Sequence, residues 1–306
     1  MPYRLPRPGE QRVRPVLPEQ LRLVRSQQAR VKHAERRSGI MGGIRTAVHG
    51  SYRIVQALAR QAAKACTIAI VPGQWPANVD ELITEQQRLG AMAPPVWQPP
   101  STPLIAGCFT CFPRGQRGPG AAGDPAWAAA AVYHGRHCQA RTTVRGQAGG
   151  PYVPGLLALR CGTLLEEAVR SLSMQPDVVL IDATGADHAR RAGLARHLGA
   201  ILDVPTIGVT HRPLLAAGEW PADERGARSP LLLDGTLVGF WVRTRLGRRP
   251  LAVHSGWRTD PDIAAHIVLS CSRHRTPTPL REARRLARAA RAATSSGHDT
   301  ICRCVM

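Results

Sequence analysis

Residues 176–188, Pro-Asp-Val-Val-Leu-Ile-Asp-Ala-Thr-Gly-Ala-Asp-His, decide the fold. Within them, 178–181 is a continuous apolar run, which is typical of a strand buried on both faces. A helical pattern over 188–202 and a second apolar run over 206–209 follow, and this order predicts a βαβ unit with parallel pairing. Because chemistry in such open sheets lies at the carboxyl ends of strands, Asp182 is the first candidate for a functional residue.

The segments upstream of this unit predict an antiparallel meander. Three strand-like segments, 104–112, 127–133 and 138–145, come one after another, and a loop rich in glycine and proline separates the first two. A helix over 156–173 then carries apolar residues at 3.6-residue spacing. We therefore predict an α/β fold: a mixed sheet, formed by an antiparallel meander plus βαβ, with flanking helices, in a ribonuclease H-like arrangement.

The ends of the predicted domain complete this pattern. Asn78 is a helix cap for 75–90, and Asp260 followed by Pro261 opens a helix farther on. The other predicted elements are strands at 230–233, 237–244 and 250–253 and an arginine-rich helix at 279–291.

The positive charge of the chain is concentrated in two segments. Of a net charge of +20 over 306 residues, residues 1–66 carry +11 and residues 273–291 carry +6, whereas 67–272 carry only +3. A sequence pI near 11.2 predicts a polyanionic partner, with nucleic acid as the first candidate. We expect a basic extension, disordered or helical, over 1–66, a folded domain over 67–291 and a flexible tail over 292–306.

The apolar and cysteine patterns predict a compartment. The sequence has no uninterrupted apolar run of about 18 residues, so no membrane-spanning helix is expected. The first residues lack the apolar segment of a secretory signal. Eight cysteines without the spacing of a secreted disulfide framework favour the reducing cytoplasm. We expect a cytoplasmic monomer.

Two blocks of sequence resemble the signature blocks of the endonuclease V family. They are residues 151–160, Pro-Tyr-Val-Pro-Gly-Leu-Leu-Ala-Leu-Arg, and residues 176–199, and the resemblance is collinear over about 75–291. It implies a ribonuclease H-like fold and a DNA-repair type of activity, Mg²⁺-dependent hydrolysis of a phosphodiester bond near hypoxanthine, the base of inosine. Such hydrolysis needs carboxylates, because Mg²⁺ prefers oxygen ligands and activates the attacking water.

This chain departs from the family at the positions that the chemistry needs. Phe109 and Cys161 stand where the resemblance implies carboxylates, Trp257 replaces a catalytic-site histidine, and His211 matches a lysine. Asp182 alone keeps its chemistry. The resemblance therefore implies a nucleic-acid-binding protein with weakened or lost catalysis, for which Mg²⁺ is a doubtful cofactor.

Two other interpretations remain open from the sequence. The first is an active metal-dependent endonuclease with rerouted ligands. The second is a zinc or redox protein, or a remnant without selected activity, in which Cys111 and Cys161, with Asp182 or His188, would hold Zn²⁺.

The binding residues of the family are better kept than the catalytic ones. Pro151, Tyr152, Val153 and Pro154 resemble a wedge that enters a duplex beside an extruded base, where an aromatic ring offsets the lost stacking. The arginines of the last predicted helix are expected to contact phosphates: Arg281, Arg284, Arg285 and Arg288. By the same resemblance, the pocket for the flipped base comprises Gly155, Leu157, Ala183, His188, Gly193, Leu194 and Leu214.

Overall fold

The computed structural model describes residues 74–301, with side chains described through residue 294. The predicted basic extension 1–66 lies outside the described residues. The helices of the described part are α1 (Val79–Ala91), α2 (Leu157–Arg170), α3 (Leu194–Leu202), α4 (Pro261–Ser270) and α5 (Thr278–Ile301). The strands are β1 (Leu104–Cys111), β2 (Pro125–His134), β3 (His137–Gln147), β4 (Val178–Ile181), β5 (Thr206–Thr210), β6 (Arg228–Leu233), β7 (Thr236–Val242) and β8 (Leu251–Ser255).

The strands form one eight-stranded sheet in the order β3-β2-β1-β4-β5-β8-β7-β6. Strands β1, β2 and β3 are an antiparallel meander, β4 pairs in parallel with both β1 and β5, and β8, β7 and β6 continue antiparallel from β5. The predicted mixed sheet with a meander and a βαβ unit is therefore confirmed.

Helices cover both faces of the sheet. Ala106 and Val179 belong to a cluster with residues of α2 and α3, whereas Ile105 and Leu180 belong to a second cluster with α4 and α5. This alternation follows from the two-residue period of a strand. Burial of each large aliphatic side chain stabilises the fold by about 1.5–3 kcal/mol, so both faces hold the central strands in place.

Gly107 determines where α5 crosses the sheet. A Cβ on this residue would lie 2.3 Å from the backbone nitrogen of Leu280, in the first turn of α5. Only glycine permits such a close approach of helix backbone to strand. As a result α5 runs directly over β1, and its arginines reach the carboxyl end of the central strands.

Helix α3 begins six residues later than the sequence predicted. It starts at Leu194 rather than at 188, and Arg191 in the preceding loop has a φ of 55°, in the left-handed region that a helix interior excludes. The loop is closed by its own turn bonds, among them the amide of Gly193 to the carbonyl of Gly185. The left-handed residue and these loop bonds therefore replace the first turns of the helix that the apolar periodicity predicted.

Other helix ends also differ from the predicted bounds: α2 ends at Arg170 rather than at 173, and α1 and α5 differ as follows. Helix α1 starts at Val79, because the side chain of the predicted cap Asn78 accepts from the amide of Glu81. Trp75, which the prediction included in the helix, stacks on His197 at 4.7 Å. Helix α5 continues to Ile301 instead of ending at 291, and the Trp127 indole donates a hydrogen bond to the Thr294 hydroxyl. Over 74–301, no helix combines the length and the apolar character that crossing a membrane requires.

Candidate nucleic-acid interface

Asp182 lies beside a small cavity at the carboxyl ends of β1 and β4. The parallel pairing of these strands places Cys108 opposite Ile181, so the residues that follow each of them converge. The cavity measures about 120 Å³, and the structure brings together five predicted site residues in its lining: Phe109, Leu157, Cys161, Asp182 and Leu194. We call it the Asp182 cavity. Asp182 is its one charged lining residue, so the cavity is otherwise apolar or weakly polar.

An arginine of α5 pairs with Asp182. The Nη2 atom of Arg284 lies 2.8 Å from Oδ2 of Asp182, and the two side chains are 15% and 28% exposed. Its guanidinium also lies over the Phe109 ring, 5.5 Å from the centroid. Charge-assisted hydrogen bonds of this length are among the stronger polar contacts in proteins. Asp182 is therefore already neutralised by a side chain.

The donor set does not fit Mg²⁺. Mg²⁺ requires several oxygen ligands in near-octahedral geometry, and Asp182 is the one carboxylate at this cavity. Burial raises the pKa of the Cys161 thiol to about 12, so it is protonated and a poor ligand. Within the described residues, no group of three or more His, Cys, Asp and Glu side chains is arranged to hold a metal ion.

The zinc alternative also lacks a common site. Cys161 lies on α2 and packs in the core between that helix and the sheet, whereas Cys111 packs with Trp127 and Ala287 on the α5 side of the sheet. His188 does not line the cavity that contains Asp182. The structure therefore does not assemble the four residues that the sequence suggested for zinc.

Trp257 is not brought to Asp182. Strand β8 runs antiparallel to β5 with Ser255 opposite Ile207, so Trp257 lies beside the start of β5. Asp182 instead follows the end of β4, which runs parallel to β5. The Trp257 side chain is buried in a cluster with Leu89. The predicted role of this position in a catalytic site is thus not supported by its place in the sheet.

His211 lies next to an arginine that supplies the positive charge. Its Nδ1 atom is 2.9 Å from Nη1 of Arg275, an arrangement in which the neutral imidazole accepts the hydrogen bond. Burial lowers the pKa of His211, and the charges of Arg275 and Arg284 lower it further. The positive charge next to this position is therefore on Arg275, while His211 itself is held neutral.

The predicted wedge, residues 151–154, presents an exposed ring on an anchored backbone. Tyr152 is 53% exposed, while its amide donates to the carbonyl of Pro119 at 2.7 Å. Gly150 directly precedes the wedge, and its carbonyl accepts a 2.6 Å hydrogen bond from Arg160, which is itself buried. An aromatic tip on a fixed base suits insertion between stacked bases.

Hydrogen bonds from Gln86 and His188 hold Gly155, the residue that directly follows the wedge. Gly155 has a φ of +82°, and its carbonyl accepts from Gln86 at 3.0 Å and from His188 Nε2 at 2.9 Å. His188 Nδ1 accepts from the amide of Arg190, so Nε2 carries the proton. Burial is the main cause that lowers the pKa of His188 to about 4. Both ring nitrogens are used within the protein, which supports a positioning role for this predicted pocket residue.

Asp187, which the sequence analysis did not single out, organises the last predicted pocket residue. Its fully buried carboxylate accepts hydrogen bonds from three consecutive amides, those of Leu214, Leu215 and Ala216. An acid just before a presumed helix resembles an ordinary cap, which hid this role. The segment around Leu214 is thereby fixed next to the loop that contains His188.

Ala183 and Gly193 lie in the backbone that links Asp182 to α3. Ala183 is buried, and its amide donates to the carbonyl of Ile181. Gly193 is the extended residue before α3, and a Cβ on it would lie 2.3 Å from the carbonyl oxygen of Thr184. Neither residue lines the Asp182 cavity, although each is next in sequence to a residue that does.

An open groove of about 500 Å³ runs along α5 next to Asp182. Four of its lining residues are the predicted phosphate contacts Arg281, Arg284, Arg285 and Arg288, and Arg275 and Thr276 line it as well. We call this groove the arginine groove. Arg285 pairs with Glu282 at the surface, where solvent and salt screen such a pair. The groove therefore presents mainly positive charge.

The mixed sheet, the helices on both faces and the carboxylate after a central strand define a ribonuclease H-like α/β protein. Residues 100–285 match the family model for Endonuclease V. The chain is 33% identical to the Endonuclease V of Streptomyces avermitilis over 229 residues, which cover 73% of this chain and 97% of that protein. The chain belongs to the endonuclease V family.

Other relatives show how much of the chain is shared. The Endonuclease V of Trichormus variabilis is 38% identical over 138 residues, which make up 45% of this chain and 62% of that protein, less than two thirds of its length. The crystal structure of the Streptomyces avermitilis Endonuclease V superposes with a TM-score of 0.65 over 74% of this chain and 98% of that one, at 33% identity. Ciona intestinalis Endonuclease V, at 18% identity and a TM-score of 0.57, shares the fold over 69% of this chain and 96% of that one.

Proposed function

We propose that this protein is a nucleic-acid-binding member of the endonuclease V family whose hydrolytic activity is weakened or lost. The observation that carries this proposal is the ion pair between Arg284 and Asp182, which fills the coordination position of the one retained family carboxylate. A site with a protonated thiol and an aromatic ring in place of carboxylates lacks the ligands that phosphodiester hydrolysis with Mg²⁺ needs.

The binding half of the proposal rests on the wedge and on charge. Tyr152 is exposed on a backbone that Pro119 and Arg160 hold in place. The arginine groove lies on the α5 side of the sheet end and offers guanidinium groups, which match phosphate geometry. Within this proposal, the preferred ligand is hypoxanthine-containing nucleic acid, either DNA or RNA.

The test measures binding and cutting on the same labelled oligonucleotides. Ciona intestinalis Endonuclease V was crystallised with a 24mer DNA containing an inosine, and this suggests the probe. Fluorescence anisotropy with inosine-containing DNA and RNA, against matched adenosine strands, gives affinity and preference. We expect binding that weakens steeply with salt, and strands that stay intact in Mg²⁺ or Mn²⁺.

A matched pair of variants tests the wedge. Tyr152→Ala removes an aromatic side chain that is 53% exposed, and Trp220→Ala, at 54% exposure, removes one that packs on Trp241 instead. We expect about tenfold weaker binding for Tyr152→Ala, from the loss of one stacking contact, and unchanged binding for Trp220→Ala.

Metal-dependent nicking by the wild-type protein that disappears in Asp182→Ala would instead favour an active endonuclease with rerouted ligands.

A further inference from the structure

Three contacts hold the Arg284 guanidinium at the Asp182 cavity. Besides the 2.8 Å contact to Asp182, Nη1 lies 3.4 Å from the hydroxyl of Thr276, and the Phe109 ring lies beneath the group. This geometry depends on the close packing of Leu280 on Gly107, because Leu280 lies one helical turn before Arg284. The position of Arg284 is therefore set by the fold and by its partners on both sides.

Positive charge around Arg284 exceeds the negative charge that balances it. The guanidinium groups of Arg284 and Arg288 lie 5.5 Å and 5.7 Å from the same Phe109 ring. Arg275 lines the same groove, and burial together with the charge of Arg284 lowers the pKa of Arg275. Like charges gathered this closely repel each other unless an anion lies among them.

One donor of Arg284 also lacks an acceptor. Its Nε atom is shielded from solvent and has no hydrogen-bond partner among the described residues. Buried polar groups in native proteins nearly always have a partner. A guanidinium has five N–H donors, and Asp182 and Thr276 account for only part of them.

We propose that Arg284 takes the place of a divalent metal ion: it neutralises Asp182 and, together with Arg275 and Arg288, binds a phosphate of the nucleic-acid backbone without metal. This inference rests on the proposed function and specifies how the same site recognises its ligand. A phosphodiester oxygen pair accepts in parallel from the fork of a guanidinium, and neighbouring arginines share its charge. Binding then persists when all divalent metal is chelated.

The test is an anisotropy titration of the full chain with an inosine-containing oligonucleotide, in EDTA and in Mg²⁺, over a series of salt concentrations. The wild-type protein is expected to bind equally in EDTA and in Mg²⁺. Arg284→Met, which keeps the length and removes the charge, is expected to weaken binding about tenfold and to lower the salt slope by about one. Arg284→Lys keeps the charge without the fork and is expected to fall between the two.

The matched control is Arg170→Met on α2, an exposed arginine that also pairs with a carboxylate, that of Glu166. It is expected to bind within about twofold of wild type, since its pair lies at the surface. Circular dichroism measures whether each variant is folded. If Arg284→Met is unfolded, the comparison is made with Arg284→Lys, which keeps the ion pair.

The other outcomes of this experiment contradict either the metal-free phosphate site alone or the proposed binding function as well. Binding that requires Mg²⁺ and disappears in EDTA overturns the inference and leaves the proposed binding function standing. Binding by Arg284→Met or Arg284→Lys equal to wild type does the same. Absence of binding by the wild-type protein to any oligonucleotide in either buffer overturns both.

Discussion

The backbone of Leu280 in α5 packs directly against Gly107 in β1. No side chain fits between them, because a Cβ on Gly107 would lie 2.3 Å from the Leu280 nitrogen. This contact sets the height at which α5 crosses the sheet, and with it the distance from Arg284 to Asp182. The arrangement of the proposed phosphate site thus begins with a residue that makes no polar contact to it.

Gly107→Ala is expected to displace α5 and to destabilise the protein by about 1–3 kcal/mol, the usual cost of overpacking. Gly150→Ala is the matched control, because a Cβ there meets Leu159 at an ordinary 3.9 Å. Thermal unfolding followed by circular dichroism measures both. Equal midpoints for the two variants would show that the helix does not depend on this contact.

The hydrogen bonds of Gln86 are expected to hold the wedge. Gln86→Leu removes the donor to Gly155 and the acceptor for Arg190, so hydrogen exchange of the non-proline amides within 150–156 is expected to speed up. The loss of such buried bonds costs about 1–3 kcal/mol. Gln139→Leu, at an exposed site, serves as control and is expected to leave exchange of these amides unchanged. Unchanged exchange in Gln86→Leu would contradict the anchoring role.

Much of this fold follows from local sequence patterns. The apolar run before Asp182, the Asn78 cap and the Asp260–Pro261 helix start are local signals, and each has the predicted structure. The predicted start of α3 was wrong: Arg191, inside the predicted helix, has a left-handed backbone conformation, and its guanidinium donates to the carbonyl of Leu233, which is distant in sequence. Local patterns carry no information about such distant contacts.

The candidate site was harder to foresee than the fold. The arginines of α5 were predicted to contact phosphates, but the pairing of Arg284 with Asp182 joins residues far apart in sequence. Likewise, the buried carboxylate of Asp187 finds its three amide partners only when the chain folds. Trp257, expected near Asp182, lies beside the other end of β5 because β8 is antiparallel to it.

Acid is expected to destabilise the protein through His188. Its pKa is about 4 in the folded chain, mainly because of burial, with Arg190 lowering it and both the Gly155 carbonyl and Asp187 raising it. An unfolded histidine has a pKa of about 6.5. The unfolded chain therefore binds more protons in this window, and the free energy of unfolding falls by about 3 kcal/mol as the pH drops from about 7 to 4.

Denaturant unfolding at several pH values measures this dependence. His188→Gln is expected to make the curve less steep between pH 7 and 4, but not flat, because burial also lowers the pKa of His197 and of His254 to about 4. His137→Gln, at an exposed residue, is expected to leave the curve unchanged. A curve for His188→Gln as steep as that of wild type would mean that other groups, such as the buried His197 and His254, account for the whole effect.

Metal binding is expected to require both new carboxylates at the Asp182 cavity and the removal of the Arg284 guanidinium. Phe109→Asp with Cys161→Glu supplies carboxylates beside Asp182, but Arg284 still occupies the coordination position. We therefore expect no Mn²⁺ binding by the double variant and measurable binding once Arg284→Ala is added, by isothermal titration calorimetry. Trp257 is left unchanged, since it lies beside the other end of β5. Stoichiometric Mn²⁺ binding by the wild-type protein would contradict this account of the site.

The affinity of Asp182→Asn for an inosine-containing oligonucleotide in EDTA, relative to wild type, tests the central claim most directly. If Arg284 serves as the cation of this site, removing the carboxylate frees the guanidinium and removes a charge that repels phosphate. We therefore predict binding that is severalfold tighter than wild type, with the oligonucleotide intact. Weaker binding by Asp182→Asn, together with wild-type cleavage that the variant loses, would contradict it.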